Sequence, residues 1–232
     1  MVQYGQVVSA TFIERPNRFV AICEVNGQAE TVHVKNTGRC KELLIPGVEV
    51  FLEEANATTR KTKYDLIAVM KKGQLINIDS QVPNKIFAEA IKKTPTLPTL
   101  KGNIQVLQKE VTYGQSRFDF YFETDQAEKG FVEIKGMTLE ENGVVSFPDA
   151  PTLRGLKHVN ELGLAMTEGY LGFVVFIVQM NQATYATINE NMQPALKLAI
   201  QTMMAEGLQV LAYTCEVLED RISLAEAIPF KI

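Results

Sequence analysis

Apolar and polar positions alternate in short bursts through the first third of the chain. GQVVSATFIE, RFVAICEV, AETVHVK, GVEVFLEE, YDLIAVMK and GQLINI are β-rich and separated by turn formers such as Pro16-Asn17, Asn26-Gly27 and Pro46-Gly47. Asn26-Gly27 lies between two such runs and predicts a two-residue hairpin. Five or six short strands in this length suit a small barrel or sandwich. The period then changes. In VPNKIFAEAIKK, Ile86, Phe87, Ala90 and Ile91 share one helical face. KKTPTLPTLKG, with its two prolines, breaks that pattern and reads as a connector. Beyond it lie a hairpin region over 105–145, a helix over about 151–168 and a continuous apolar strand, GYLGFVVFIVQM, of the kind buried on both faces. A second helix, about 191–206, leads to a strand in GLQVLAYTCEV, and the alternation indicates an α/β layer. Two modules are therefore expected: 1–80, all β, and 81–232, α/β, the latter including a helix over 81–93 and the connector 94–102.

The stretch SRFDFYFETDQAEKGFVEIKG, 116–136, is the exception to ordinary patterning. It reads as two strands around a polar turn, yet Asp119, Glu133 and Lys135 fall inside the apolar runs. Strand alternation puts Phe118, Phe120 and Phe122 on one face and gathers the charges on the other. Folded symmetrically about Gln126, the hairpin sets Asp119 opposite Glu133 and Phe120 opposite Val132. Facing carboxylates repel unless a cation lies between them. Lys135, Arg117 or a divalent metal would serve, and hard carboxylate oxygens suit Mg²⁺ better than zinc. An ion-paired surface hairpin and a metal site both satisfy this pattern.

Composition changes the picture in two places. Across 232 residues the formal charge is −4, but residues 1–101 carry 14 Lys and Arg against 10 Asp and Glu, and residues 102–232 carry 9 against 17. A basic front and an acidic back suit modules with different jobs. The three cysteines, Cys23, Cys40 and Cys215, are odd in number and show no CxxC spacing, which fits core thiols in a reducing cytoplasm rather than a disulfide frame or zinc site. No apolar run is long enough for a membrane span, and no secretory signal is expected at the N-terminus.

Asp at an apolar strand, then Glu-x-Lys on the next strand, then a helix, resembles the core of the PD-(D/E)XK nuclease superfamily. FIERPNRFVA, NTGR, NKIFAEAI, EVTYGQSRFDF, VEIKGMTL and FPDAPTLRGLKHVNEL, in that order, resemble the sugar fermentation stimulation protein A (SfsA) family across most of the chain. The resemblance implies an N-terminal OB-fold barrel and a C-terminal PD-(D/E)XK nuclease-like α/β domain. It also implies sequence-nonspecific DNA binding and a role in regulating sugar utilisation. Carried over by position, Asp119 and Glu133 match the metal-binding acids, Lys135 the motif lysine, and the Ile134 carbonyl a further ligand for Mg²⁺ or Mn²⁺. Superfamily members often add a Glu from the preceding helix, for which Glu89 is the candidate here and Glu110 its rival. Arg117-Phe118-Asp119 replaces the usual Pro-Asp, leaving the acid in place.

Candidate DNA contacts on the barrel are Arg15, Arg18, Lys35, Asn36 and Arg39, with Lys41 and Phe19 beside them, since OB barrels hold strands in basic, aromatic-bearing grooves. Asn36-Thr37-Gly38 reads as a tight loop able to approach a phosphate, and RKTK at 60–63 as a further basic loop. On the back half, Arg117 and the helical set Arg154, Lys157 and His158 are candidates; Glu161 shares that spacing. The expected partner is DNA, bound without sequence preference, with a homodimer as a further expectation and no membrane contact. Two functions stay open: a Mg²⁺-dependent DNA endonuclease or exonuclease, and a non-catalytic DNA-binding transcriptional regulator that uses the nuclease-like fold as a scaffold. A metabolic regulator binding a small ligand is a third.

Overall fold

The computed structural model describes residues 1–36, 38–55 and 60–232. After a two-residue strand, β1 (Val2–Gln3), the chain enters β2 (Val7–Asn17), β3 (Val20–Val25), β4 (Gln28–Val34), β5 (Glu49–Glu54), β6 (Tyr64–Lys71) and β7 (Gln74–Asn77). These six form one sheet in the order β4-β3-β2-β5-β6-β7, and a parallel pairing of β4 with β6 closes five of them into a barrel. This is the OB domain. The β3–β4 hairpin turns at Asn26-Gly27, with φ of 51° and 78°, and Val25 faces Gln28. Two successive positive φ values match the right-handed twist of the strands, which is why Asn-Gly is favoured there.

The α/β domain follows: α1 (Val82–Lys93), β8 (Ile104–Tyr113), β9 (Ser116–Thr124), β10 (Lys129–Met137), β11 (Leu139–Glu141), β12 (Val144–Phe147), α2 (Leu153–Thr167), β13 (Leu171–Val178), β14 (Tyr185–Ile188), α3 (Pro194–Ala205), β15 (Gln209–Leu218), β16 (Arg221–Ala227) and β17 (Phe230–Lys231). A seven-stranded sheet, β1-β16-β15-β13-β10-β9-β8, forms its centre, and β11, β12, β14 and β17 form a small second sheet. Helix α1 covers one face, where Phe87 packs on Phe120 with centroids 5.1 Å apart. Helices α2 and α3 cover the other. Thr152 caps α2 by accepting a hydrogen bond from the Gly155 amide. Strand β13 runs parallel to both β10 and β15 and is buried from Gly172 onward, as expected for a strand between helical layers. Among the described residues no helix is long and apolar enough to cross a membrane.

The two domains are stitched by polar contacts. Gln179 at the end of β13 donates to the Asn77 side chain and the Asp79 carbonyl, and its own carbonyl accepts from the Asn77 amide. The sheet position of β1 also draws the first residues into the α/β domain, through pairing of Val2 with Ile222.

Candidate metal centre

The hairpin of β9 and β10 has the expected register: Val132 faces Phe120, Phe131 faces Tyr121 and Lys129 faces Glu123. Their pairing stops at Phe120 and Val132. Strand β10 runs on against β13 as far as Met137, while the start of β9 stays with β8. The two strands therefore splay, and the Ile134 amide loses its ladder partner on that side. Asp119 fills the gap: its Oδ2 accepts from the Ile134 amide at 2.8 Å. A carboxylate is thus held where two strands part, because a buried amide needs an acceptor.

The phenylalanine arrangement differs from the expected single face. Phe118 packs with Phe131 (5.0 Å between centroids) and edge-on to His158 of α2, whereas Phe120 packs with Phe87 of α1. Both sheet faces are covered by helices, so apolar side chains are wanted on both, and the charges have no solvated face. Glu133 is buried.

Its charge is compensated by neighbours. Glu133 Oε1 meets the Lys135 ammonium and lies 2.5 Å from His158 Nδ1. Arg154 Nε donates to His158 Nε2 at 3.5 Å, so a chain of contacts runs from the exposed end of α2 to the buried carboxylate. Glu133 Oε2 is buried with no hydrogen-bond partner. Asp119 Oδ1 accepts from the Asn84 side chain, at the start of α1, at 2.7 Å. Burial raises the Asp119 carboxyl above its ordinary value, and the nearby Glu133 charge adds to this. Burial pushes Glu133 upward too, but Lys135 and His158 outweigh it and hold that carboxyl below the usual range. Paired carboxyls driven apart in this way are suited to different roles at one pH.

The donors fit a hard divalent cation. A buried, unpartnered carboxylate oxygen in a cluster with a second carboxylate is a position that a cation would satisfy. Among the described residues no group of three or more His, Cys, Asp or Glu converges as a ligand set. Two acids with further positions left to water or phosphate suit Mg²⁺, which keeps much of its hydration.

Several expected site residues stand elsewhere. Glu89 pairs with Lys92 at 2.6 Å and borders a separate cavity with Met1 and Tyr213; Asn84, one turn earlier on α1, reaches Asp119 instead. Glu110 is exposed at φ 54° and pairs with Arg117 at 3.6 Å. His158 is buried against Glu133 rather than offered to phosphate, and that carboxylate orients it. Arg154 and Lys157 are exposed, Lys157 donating to the Gln115 carbonyl, while Glu161 is buried and accepts from the Gln115 amide.

On the barrel, Arg15 is a fastener. Its guanidinium donates to the carbonyls of Arg18, Asn36, Gly38 and Arg39. Asn36 is likewise committed, donating to the Ile78 carbonyl and accepting from the Gly38 amide. Thr37, within that loop, lies outside the described residues. Lys35 does not line a groove: it is directed at Glu53 (2.7 Å), Asp65 (3.4 Å) and Asp79 (3.8 Å) at the base of the barrel. Arg60 of the RKTK loop and His33 also bond Asp65, which they help hold at a pKa of about 2 against the upward push of burial. Arg18, Arg39 and Lys41 are exposed and border a cavity of about 630 Å³.

The sequence matches the model of the sugar fermentation stimulation protein RE domain over residues 81–221 and that of the SfsA N-terminal OB domain over 13–78. The chain belongs to the sugar fermentation stimulation protein family. The sugar fermentation stimulation protein homolog of Enterococcus mundtii is 51% identical over all of this chain and 96% of its own length. That of Desulfitobacterium hafniense strain Y51 is 50% identical, over 100% and 99%. Among solved structures, SfsA of Pyrococcus furiosus in complex with Ca²⁺ superposes with a TM-score of 0.89 at 26% identity, covering 100% of this chain and 98% of that one.

Proposed function

We propose that this family member is a sequence-nonspecific DNA-binding protein carrying a Mg²⁺- or Mn²⁺-dependent phosphodiesterase centre. The observation that carries the reading is the buried, unpartnered Oε2 of Glu133, clustered with Asp119 where β9 and β10 part. The Ca²⁺ complex of the Pyrococcus furiosus relative supports it, since Ca²⁺ takes the same class of hard oxygen ligand. Asp119, Glu133 and the Ile134 carbonyl would hold the ion. When bound, it supplies charge stabilisation at phosphate and a more acidic water. His158 and Lys135 keep Glu133 anionic and oriented, Asn84 and the Ile134 amide fix Asp119, and the half-buried Lys135 ammonium serves charge developing on phosphate oxygens. We place this activity in the regulation of sugar utilisation, in keeping with the sugar fermentation stimulation named in the family, and three buried free thiols suit a cytoplasmic setting.

A second reading has its own support. Lys135 already neutralises Glu133, as it would in a scaffold that binds DNA without cutting it. The two readings separate on incubation of the purified protein with single- and double-stranded DNA and Mg²⁺ or Mn²⁺. Metal-dependent cleavage that Asp119→Ala abolishes supports the first. Salt-sensitive binding with no hydrolysis supports the second, and cleavage unchanged in Asp119→Ala refutes the site.

A further inference from the structure

Two cavities share Gly38 of the barrel, and the smaller reaches Gly136 and Met137 at the end of β10. The larger, about 630 Å³, is bordered by Arg18, Arg39 and Lys41 against a single acid, Glu14, on the barrel, by Gly38, and by Ala150 of the α/β domain. Among the described residues Arg18, Arg39 and Lys41 form no ion pair, so their charge faces outward, unlike that of Lys35 and Arg60. Beside them Phe19 is 52% exposed, an unusual setting for a large aromatic, and Arg18 lies over its ring at 5.8 Å. The smaller cavity, about 200 Å³, lies on the seam between domains. Gly38 borders both cavities, Asp149 continues the wall that Ala150 begins, and Gly136, next to Lys135, closes the far side. Three of the four Arg15 hydrogen bonds go to the carbonyls of Asn36, Gly38 and Arg39 and fix these residues of the shared wall.

We infer that this track binds single-stranded DNA, with a base stacked on Phe19, phosphates on Arg18, Arg39 and Lys41, and an unstacked base in the seam cavity. Exposed aromatics flanked by cations are how barrels of this type hold a strand whose bases are free. At about 200 Å³ the seam cavity is the size of a single base, a third of the volume of the cationic one. Among the described residues its lining carries no cation and mixes Met137, Leu139 and Phe147, which suit the face of a base, with the Ser146 hydroxyl and the Asp149 carboxylate, which repels phosphate while accepting from an exocyclic amine. The cationic cavity and the smaller one therefore sort backbone from base. The inference rests on the DNA-binding reading above and supplies the strand type that the metal cluster leaves undefined.

The test uses the full chain in EDTA, where hydrolysis plays no part. Anisotropy with a labelled 20-mer should show at least tenfold tighter binding of the single strand than of its duplex. Phe19→Ala should weaken single-strand binding about 5- to 100-fold and Phe19→Trp should restore it, since stacking tolerates any flat ring. Photo-cross-linking of a 5-iodouracil strand to the unaltered protein should label the segments around Phe19 and around Thr138–Ser146. Equal affinity for duplex, or labelling absent from the seam, overturns the inference while leaving DNA binding intact. No binding of either form overturns both. Single-strand preference with seam labelling but no cleavage in Mg²⁺ supports this inference and removes the nuclease reading alone.

Discussion

Two clusters in this protein are built from the same ingredients, a lysine among buried carboxylates, and they differ in how completely their oxygens are satisfied. At the base of the barrel, Lys35 faces Glu53, Asp65 and Asp79. Glu53 also accepts from the Gly5 amide, Asp65 from His33 and Arg60, and Asp79 from the Gln81 amide and the Tyr4 hydroxyl. On the hairpin, Lys135 faces Glu133, but Oε2 of that carboxylate has no partner. A buried polar network with every member paired fixes a fold, whereas one left open holds unspent binding capacity. The contrast teaches that a buried charge is read by its unfilled valence and not by its burial.

The widest separation between the clusters is expected from Asp119→Asn. Metal-dependent DNA cleavage should fall about 10³-fold, in line with loss of a ligand that stabilises transition-state charge. The melting temperature should hold or rise, because burial already disfavours the charged form of Asp119. Excess Mn²⁺ should raise the melting temperature of the unaltered protein and leave that of this variant in place. A cleavage rate unchanged within twofold would dissolve the distinction.

Asp65→Asn should act the other way, removing about 3–5 kcal/mol of stability by leaving Lys35 and Arg60 short of a partner, as followed by urea denaturation. The pH dependence has a definite sign. With its folded value near 2 and an ordinary value of 3.8, Asp65 stabilises the fold above pH 3.8. That contribution, roughly 2 kcal/mol, is lost as pH falls through that window. Acid unfolding of Asp65→Asn should therefore lack that component.

The smallest effect belongs to Glu89→Ala. Its carboxylate has an exposed partner on its own helix, so the urea midpoint should match that of the unaltered protein. The Mn²⁺-induced rise in melting temperature should persist. Loss of that rise would bring Glu89 back into the ligand set.

Alternation and turn chemistry made much of the fold legible in the sequence. Asn26-Gly27, the continuous apolar run of β13 and the register of Phe120 against Val132 all follow from local rules, and all are present. The placement of Phe118 did not follow, because a strand pair that splays beneath two helical layers no longer keeps one apolar face. Asp119, Glu133 and Lys135 come together as the spacing implied. Asn84 and His158 were hidden for a different reason: each acts across elements, from a helix onto a strand, and no periodicity along one segment encodes that. Asn84 stands on the same helix as Glu89. The roles of Arg15 and Lys35 were equally out of reach, since a cation in a basic stretch looks the same whether it meets carbonyls, carboxylates or solvent.

The left-handed backbone of Glu110 does more than set this residue apart from the Asp119–Glu133 carboxylates. Strand β8 forms the outer edge of the seven-stranded sheet, and an open edge is a template on which another chain can add a strand. Gln108, Lys109 and Glu110 are exposed along it, and the φ of 54° at Glu110 interrupts the extended backbone midway. A visiting strand would meet a broken hydrogen-bond ladder and two opposite charges in succession. The edge nearest the hairpin is thereby guarded against edge-to-edge aggregation, while the interior of the same sheet keeps the unpartnered Oε2 of Glu133.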